Sequence, residues 1–331
     1  MKRRNALTAL ATFGAAIKPF CTGAQVVEKV RRIGVLMGYA ENDSEAQMRL
    51  AAFKESLATS GWIVGRNLRI DIRWSAGDVN RASAFAKELV SLQPEVILSS
   101  STPATAALQR ETSTIPIVFT VVSDPVGSGF VKALSRPGGN ITGFINIESS
   151  LAEKWLELLK KVAPGVNRVA VMFNPDTAPN ADYYLHPLNV AALKLGVMLQ
   201  TATVRSDADI ESAIAILGRQ PNSGLIVMVD SFMMVHRKAS ITFTARHKVP
   251  AIYFSSFNVV EGGLISYGVD VVDLFRRAAP YVDQILRGKN VAELPVQQPA
   301  KFELAINLKT AKALGLTVPQ SVLLQATEVI D

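Results

Sequence analysis

From Val30 onward, short apolar runs alternate with longer segments whose apolar residues recur at helical spacing. Apolar runs bounded by turn formers read as buried strands, and stripes at i, i+3, i+4 and i+7 read as helices. On this basis strands are predicted at Ile33–Met37, Leu68–Trp74, Val96–Ser99, Ile117–Val122 and Ile141–Phe144. Helices are predicted between them at Glu45–Ser60, Asn80–Leu92, Pro103–Glu111 and Gly127–Leu134. Such alternation builds a parallel sheet with helices on both faces, joined by right-handed crossovers. The series restarts at Leu151, where Leu151, Trp155, Leu158, Leu159 and Val162 share one helical face and Pro164-Gly165 stops the helix. Strands then follow at Val169–Phe173, Leu199–Val204, Leu225–Val229 and Ala251–Phe254. Their helices are Tyr183–Leu195, Asp207–Leu217 with Asp207 as N-cap, and Val235–His247. Beyond Gly262-Gly263 come a strand at Leu264–Tyr267, an amphipathic helix through Leu274 and Leu286 ended by Gly288, a strand at Phe302–Asn307 and a last helix at Leu308–Leu314.

The second series echoes the first at a nearly constant offset. Arg32-Ile33-Gly34-Val35-Leu36-Met37 recurs as Arg168-Val169-Ala170-Val171-Met172-Phe173. Pro116-Ile117-Val118-Phe119 recurs as Pro250-Ala251-Ile252-Tyr253, and Glu95-Val96-Ile97-Leu98-Ser99 more loosely as Gly224-Leu225-Ile226-Val227-Met228. The expected fold class is α/β: two similar doubly wound parallel-sheet lobes joined by a multi-crossing hinge. Two such lobes enclose a cleft, and ligands collect beyond the carboxyl ends of the strands that face it. One lobe needs a further helix after the other is nearly built, which implies several crossings. The expected division is 1–24 as a signal peptide, 31–143 with 264–293 as the first lobe, and 144–263 with 294–331 as the second.

Composition agrees with a globular chain: 331 residues, 49% hydrophobic and 19% charged. The net charge of +7 is uneven, because Lys2, Arg3, Arg4 and Lys18 in the acid-free N-terminus supply four of those charges and leave +3 elsewhere. No basic run with interleaved aromatics remains, so nucleic acid is not an expected partner. The N-terminus itself reads as an export signal. Lys2-Arg3-Arg4 is a basic start, Ala6 to Ile17 a short apolar stretch, and Thr22-Gly23-Ala24 the small residues before a cut near Gln25. Arg3-Arg4 raises the twin-arginine route. Cys21, the single cysteine, falls before the cut, so the mature chain has no thiol. No later segment reaches 18 uninterrupted apolar residues, so the mature chain is not expected to insert into a membrane. A periplasmic location follows.

Candidate chemistry is found at the strand ends. The first lobe offers Tyr39, then Ser99-Ser100-Ser101-Thr102-Pro103, then Ser123-Asp124-Pro125. The second offers Asn174-Pro175-Asp176, Asp230-Ser231 and Ser255-Ser256. The serine run leads into a helix with Pro103 near its first position, so unpaired N–H groups and hydroxyls converge where a carboxylate would fit. Ser101 or Thr102 also serves as the helix cap. Asp230 reads equally as an N-cap or as the partner of a ligand ammonium; Asp124 before Pro125 reads more readily as turn chemistry. Tyr39, Phe254, Phe257 and Tyr267 are available as aromatic walls or as core. The catalytic inventory is poor. His186, His236 and His247 have no metal-ligand spacing, and no nucleophile elbow, phosphate loop or dinucleotide fingerprint is present. No cofactor and no catalysis are expected.

These motifs carry a resemblance. Ile33-Gly34-Val35-Leu36, Ser101-Thr102-Pro103-Ala104, Ile115-Pro116-Ile117-Val118-Phe119, Ser123-Asp124-Pro125-Val126-Gly127 and Pro137-Gly138-Gly139-Asn140-Ile141-Thr142-Gly143 occur in order. Gly262-Gly263-Leu264-Ile265-Ser266-Tyr267-Gly268 and Ile306-Asn307-Leu308-Lys309-Thr310-Ala311 follow. Together they resemble the substrate-binding proteins of ABC transporters, in the branch that includes tryptophan-binding-like exported proteins. The resemblance implies the type I periplasmic-binding fold with three interlobe crossings, a small-molecule ligand such as an amino acid or related carboxylate held between lobes that close on it, and a cognate ABC permease in the inner membrane as partner. It implies ligand contact at Tyr39, Ser100, Ser101, Thr102, Ser123, Asp124, Asn174, Asp230, Ser231, Phe254 and Tyr267. In relatives that bind amino acids, first-lobe hydroxyls and a helix N-terminus hold the carboxylate and an acid in the position of Asp230 holds the amino group. Ser231 stands where the tryptophan-binding relatives lead one to expect Asn. Hinge segments are expected at Gly143–Ile147, Phe257–Gly263 and Pro295–Pro299. A ligand-sensing partner of a membrane receptor is the alternative, and an enzyme on the same plan is a more distant one.

Overall fold

A computed structural model describes residues 30–146 and 148–331. The expected signal segment, Cys21 and the hinge residue Ile147 lie outside the described residues. The first lobe runs β1 (Arg31–Met37), α1 (Ser44–Thr59), β2 (Leu68–Trp74), α2 (Val79–Ser91), β3 (Val96–Ser100), α3 (Thr102–Glu111), β4 (Ile117–Val122) and β5 (Ile141–Ile145). The second begins with α4 (Leu151–Val162), β6 (Arg168–Phe173), α5 (Asp182–Leu195), β7 (Met198–Thr203), α6 (Asp207–Gly218) and β8 (Ser223–Val227). It continues through α7 (Ser231–Val235), α8 (Arg237–Arg246), β9 (Ala251–Tyr253), α9 (Ser256–Val260) and β10 (Ile265–Val269). The chain then gives α10 (Val271–Leu286), β11 (Phe302–Asn307), α11 (Leu308–Ala313), α12 (Gln320–Leu323) and β12 (Glu328–Ile330).

The first sheet has five strands in the order β2-β1-β3-β4-β5, all parallel. The second has seven, and its β7-β6-β8-β9-β10 portion repeats that order before β11, antiparallel to β10, and β12, parallel to β11, extend it. The sequence echoes fall on equivalent strands: β1 with β6, β3 with β8, β4 with β9. In each lobe, buried side chains cover both sheet faces, and one apolar cluster runs from Ile33, Phe53 and Tyr39 through Phe144 to Trp155, Tyr184 and Phe254. The central strands are buried on both faces, which is why they read as unbroken apolar runs.

Three details differ from the sequence expectations. Gly127–Leu134 is a series of turns, with Phe130 N–H donating to Pro125 O at 2.9 Å and Gly129 at a φ of 71°; a helix cannot pass through that left-handed residue. Ser206, not Asp207, caps α6, its hydroxyl accepting the Asp209 N–H at 3.1 Å. The expected helix Val235–His247 is broken at His236 into α7 and α8.

The lobe boundary also moves. Residues 264–269, expected in the first lobe, form β10 inside the second sheet, paired with β9 and β11. The chain returns to the first lobe one step later, at Asp270, and α10 packs on α1, β3, β4 and β5. The Phe257–Gly263 hinge is therefore corrected: α9 lies in the second lobe against β10 and β11, and the second crossing is Asp270. The crossings lie side by side. Ile145 N–H donates to Gln297 O at 3.0 Å, Gln297 N–H to Gly143 O at 2.9 Å, and Asp270 N–H to Lys301 O at 3.1 Å.

Candidate functional site

A cavity lies between the carboxyl ends of the two sheets and is lined from both lobes. On the first-lobe side, β3 runs through Ser100, and Ser101 turns the chain into α3 at a φ of 122°. Its hydroxyl caps α3 by accepting the Ala104 N–H at 3.3 Å. Thr102 Oγ1 accepts the Ser123 N–H at 3.3 Å, tying the start of α3 to the end of β4. There the ladder slips by one residue, and Val121, at a φ of 56°, reaches the cavity wall. A β-branched residue in that region is strained, and such strain gathers at binding sites. Ser123 Oγ donates to Asn146 Oδ1 at 3.2 Å.

On the second-lobe side, Asp230 ends the segment after β8 and caps α7, with Met233 N–H donating to Oδ1 at 2.7 Å. Thr177 Oγ1 donates to the same oxygen at 3.0 Å, and Asn174 N–H donates to Oδ2 at 3.0 Å. These donors are all neutral. The carboxylate is 6% exposed, and burial outweighs its hydrogen bonds, pushing its pKa up to about 6. Among the described residues lining the cavity, Asp230 is the only carboxylate, and none is Lys, Arg or His. Tyr39 and Phe254 face the cavity from opposite lobes. The Arg49 guanidinium lies 4.5 Å from the Tyr39 ring centre, and burial pushes the Tyr39 phenol up despite that cation.

The lobes touch around this cavity. Tyr184 OH donates to Ser123 Oγ, and Asn180 Nδ2 donates to Ser128 Oγ at 2.6 Å. Ser255 Oγ donates to Glu45 Oε1 at 2.9 Å, and Arg237 pairs with Asp43 across the cleft while holding Glu261 of its own lobe at 2.9 Å.

Seven of the expected residues therefore line one cavity: Tyr39, Ser101, Thr102, Ser123, Asp230, Ser231 and Phe254. Four do not. Ser100 is sealed within β3 because the strand runs one residue further than its apolar run suggests. Asp124 accepts the Gly127 N–H at 2.8 Å in the turn after β4. Asn174 supports Asp230 through its backbone N–H rather than lining the cavity. Tyr267 sits inside β10, its ring stacked 6.2 Å from Phe302. Sequence reasoning missed Asn146, Thr177 and Tyr184. Asn146 directly follows β5, so listing that strand's end with the others would have found it. Thr177 belongs to the segment between β6 and α5, which carries no apolar period, and Tyr184 lies in the first turn of α5, where its spacing to Leu188 reads as core.

Among the described residues no group of His, Cys, Asp and Glu could hold a metal ion, and no helix is long and apolar enough to cross a membrane. A family model described as "ABC transporter substrate binding protein" matches residues 26–330. The chain is 30% identical over 270 residues to the tyrosine-binding protein of Clostridioides difficile (strain R20291), covering 80% of this chain and 75% of that one. It superposes on the ABC domain from Streptococcus pneumoniae in complex with L-Trp with a TM-score of 0.83 at 27% identity, over 91% of this chain and 99% of that one. Against the ligand-free, open structure of CD0873, a substrate-binding protein with adhesive properties from Clostridium difficile, the TM-score is 0.66 at 26% identity, over 91% and 99%.

Proposed function

The chain belongs to the family of ABC transporter substrate-binding proteins, and from that premise we propose that it captures a free α-amino acid with an apolar or aromatic side chain in the interlobe cavity. One observation carries this reading: Asp230 is a buried carboxylate with only neutral donors around it, in a cavity with no cationic side chain. A buried charge normally has a counter-charge, and a ligand ammonium supplies it. Across the cavity, Ser101, Thr102 and the N-terminus of α3 offer hydroxyls and N–H groups suited to a carboxylate. Tyr39, Val121, Tyr184, Met234 and Phe254 leave an apolar slot for the remainder of the ligand. An acidic or basic side chain would find no partner in that slot.

The likeness to a tyrosine-binding protein and to an L-Trp complex supports the same class of ligand. At nearly equal identity the chain matches the ligand-bound structure better than the open one, which supports reading the present arrangement as the closed state. Ligand contact with both lobes then favours closure by the differential affinity of the two states. The closed protein delivers its ligand to an ABC permease in the inner membrane after export through the N-terminal signal; the family match beginning at residue 26 supports a cut just before it. Chemistry on the ligand has no assigned role here, because binding and release complete the cycle.

Thermal-shift screening of the common L-amino acids on the chain from Gln25 tests the reading, followed by isothermal titration. A ligand at 100-fold over its Kd raises stability by about 2.7 kcal/mol. L-Tyrosine, L-tryptophan or an aliphatic relative is expected to give that shift. A screen in which no amino acid moves the melting curve, or only acidic or basic ones do, overturns it.

A further inference from the structure

The donors and acceptors on the first-lobe side of the cavity do not balance as the sequence implies. Ser123 Oγ has one proton, and that proton goes to Asn146 Oδ1; the Tyr184 phenol occupies one of its lone pairs. Ser123 has no donor left for a ligand. Ser101 Oγ and Thr102 Oγ1 each accept a backbone N–H and keep their own protons. Asn146 is 1% exposed and lines the cavity, yet among the described residues no acceptor meets its Nδ2. Its backbone is anchored, the N–H donating to Val122 O at 3.2 Å. A buried amide in a cavity wall that satisfies its oxygen and leaves its two N–H groups without an acceptor is matched by an acceptor-only ligand group.

We propose that Asn146, in the first crossing between the lobes, is a ligand-binding residue whose Nδ2 takes the ligand carboxylate while its Oδ1 is engaged by the Ser123–Tyr184 pair that forms only when the lobes meet. The inference rests on the amino-acid reading given above. It adds a device to it. Ligand and closure act on opposite ends of one amide, and that amide sits in the hinge. Polarisation along the chain Tyr184–Ser123–Asn146 strengthens the Nδ2 donor when the phenol is in place. Ser123 becomes a positioning residue and Asn146 the third donor beside Ser101 and Thr102.

The experiment compares L-tyrosine with L-tyrosinamide, and L-tryptophan with L-tryptophanamide, by isothermal titration. Asn146→Asp keeps the shape and the acceptor for Ser123 but presents an oxygen where Nδ2 was. Wild type is expected to prefer the acid; Asn146→Asp is expected to lose about 10- to 100-fold in affinity for the acid and to prefer the amide, whose NH2 can donate to it. Tyr184→Phe, which cuts the relay and leaves Nδ2, is expected to weaken both, the acid somewhat more than the amide, with a far smaller change of the ratio than Asn146→Asp gives. If Asn146→Asp does not fold, Asn146→Ala reads the same ratio and is expected to narrow the preference for the acid. An unchanged acid-to-amide ratio in an Asn146 variant that still binds overturns the inference alone. A wild type that binds no α-amino acid overturns the reading of the cavity, and this inference with it.

Discussion

Asp230 shows how one residue reports on ligand and stability together. Burial outweighs its hydrogen bonds and pushes its carboxyl from the usual carboxylate range up to about 6. A carboxyl whose folded pKa is raised favours folding while protonated and opposes it once ionised. Closure without a ligand is therefore expected to become less favourable by up to about 3 kcal/mol as pH rises from about 4 to above 6, a dependence that Asp230→Asn removes in small-angle scattering of the ligand-free protein across that window. Amino-acid affinity runs the other way. An ammonium is attracted to the ionised form, so binding strengthens as pH rises through 6 and falls about tenfold per unit below it. Titrations at several pH values check this, and a flat affinity profile would show that no cation meets the carboxylate. In the sequence Asp230 could be read as a cap or as a ligand partner with equal right. It is a cap in the structure, and capping spends only part of one oxygen's capacity. Polar strand ends were legible because they break apolar runs. Whether each polar side chain faces the cavity depends on where the strand stops, as Ser100 and Ser101 show, and periodicity does not resolve a single residue.

At the scale of elements, the apolar periods located the two sheets because their central strands are buried on both faces. The short helices α7 and α9 were not legible as units, since five residues hold too little period to detect. Nor was the assignment of β10, because a strand between two lobes looks the same in sequence whichever sheet it joins. Close approaches between elements leave a clearer trace as glycine. Gly143 lies in β5 opposite Phe119, and a Cβ there would stand 2.1 Å from the Phe119 carbonyl oxygen. Gly143→Ala must push β5 from β4 next to the first crossing. It is expected to cost about 3 kcal/mol or more, read as a lowered melting temperature; Gly34→Ala, whose Cβ would meet the side chains of Ile97 at 3.3 Å and Leu89 at 3.4 Å rather than backbone, is expected to cost much less. Equal effects of the two would show that β5 yields at that point.

Across the whole molecule, function depends on how the two lobes share their contacts between protein and ligand. Arg237 is 5% exposed and holds Glu261 of its own lobe, whereas Asp43 reaches it only across the cleft. Opening leaves Arg237 with one of its two carboxylates, so the latch is reversible and its loss does not strand a buried cation. The same Asp43 caps α1 through Oδ1, accepting the Ala46 N–H at 2.9 Å, and Asn caps equally well. Asp43→Asn therefore separates the two roles: the helix start stays intact while the interlobe ion pair is removed. If that pair contributes about 1–2 kcal/mol to the closed state, the variant binds its amino acid about 5- to 30-fold more weakly, mainly through faster dissociation, with the melting temperature of the ligand-free protein little changed. Small-angle scattering supplies the independent readout. Wild type is expected to contract on binding, and the variant to need proportionally more ligand to reach the same compact form. A variant that binds and contracts as wild type does would place the whole stabilisation of closure in the ligand and the Tyr184–Ser123 contact, leaving the Arg237 pair without a part in it.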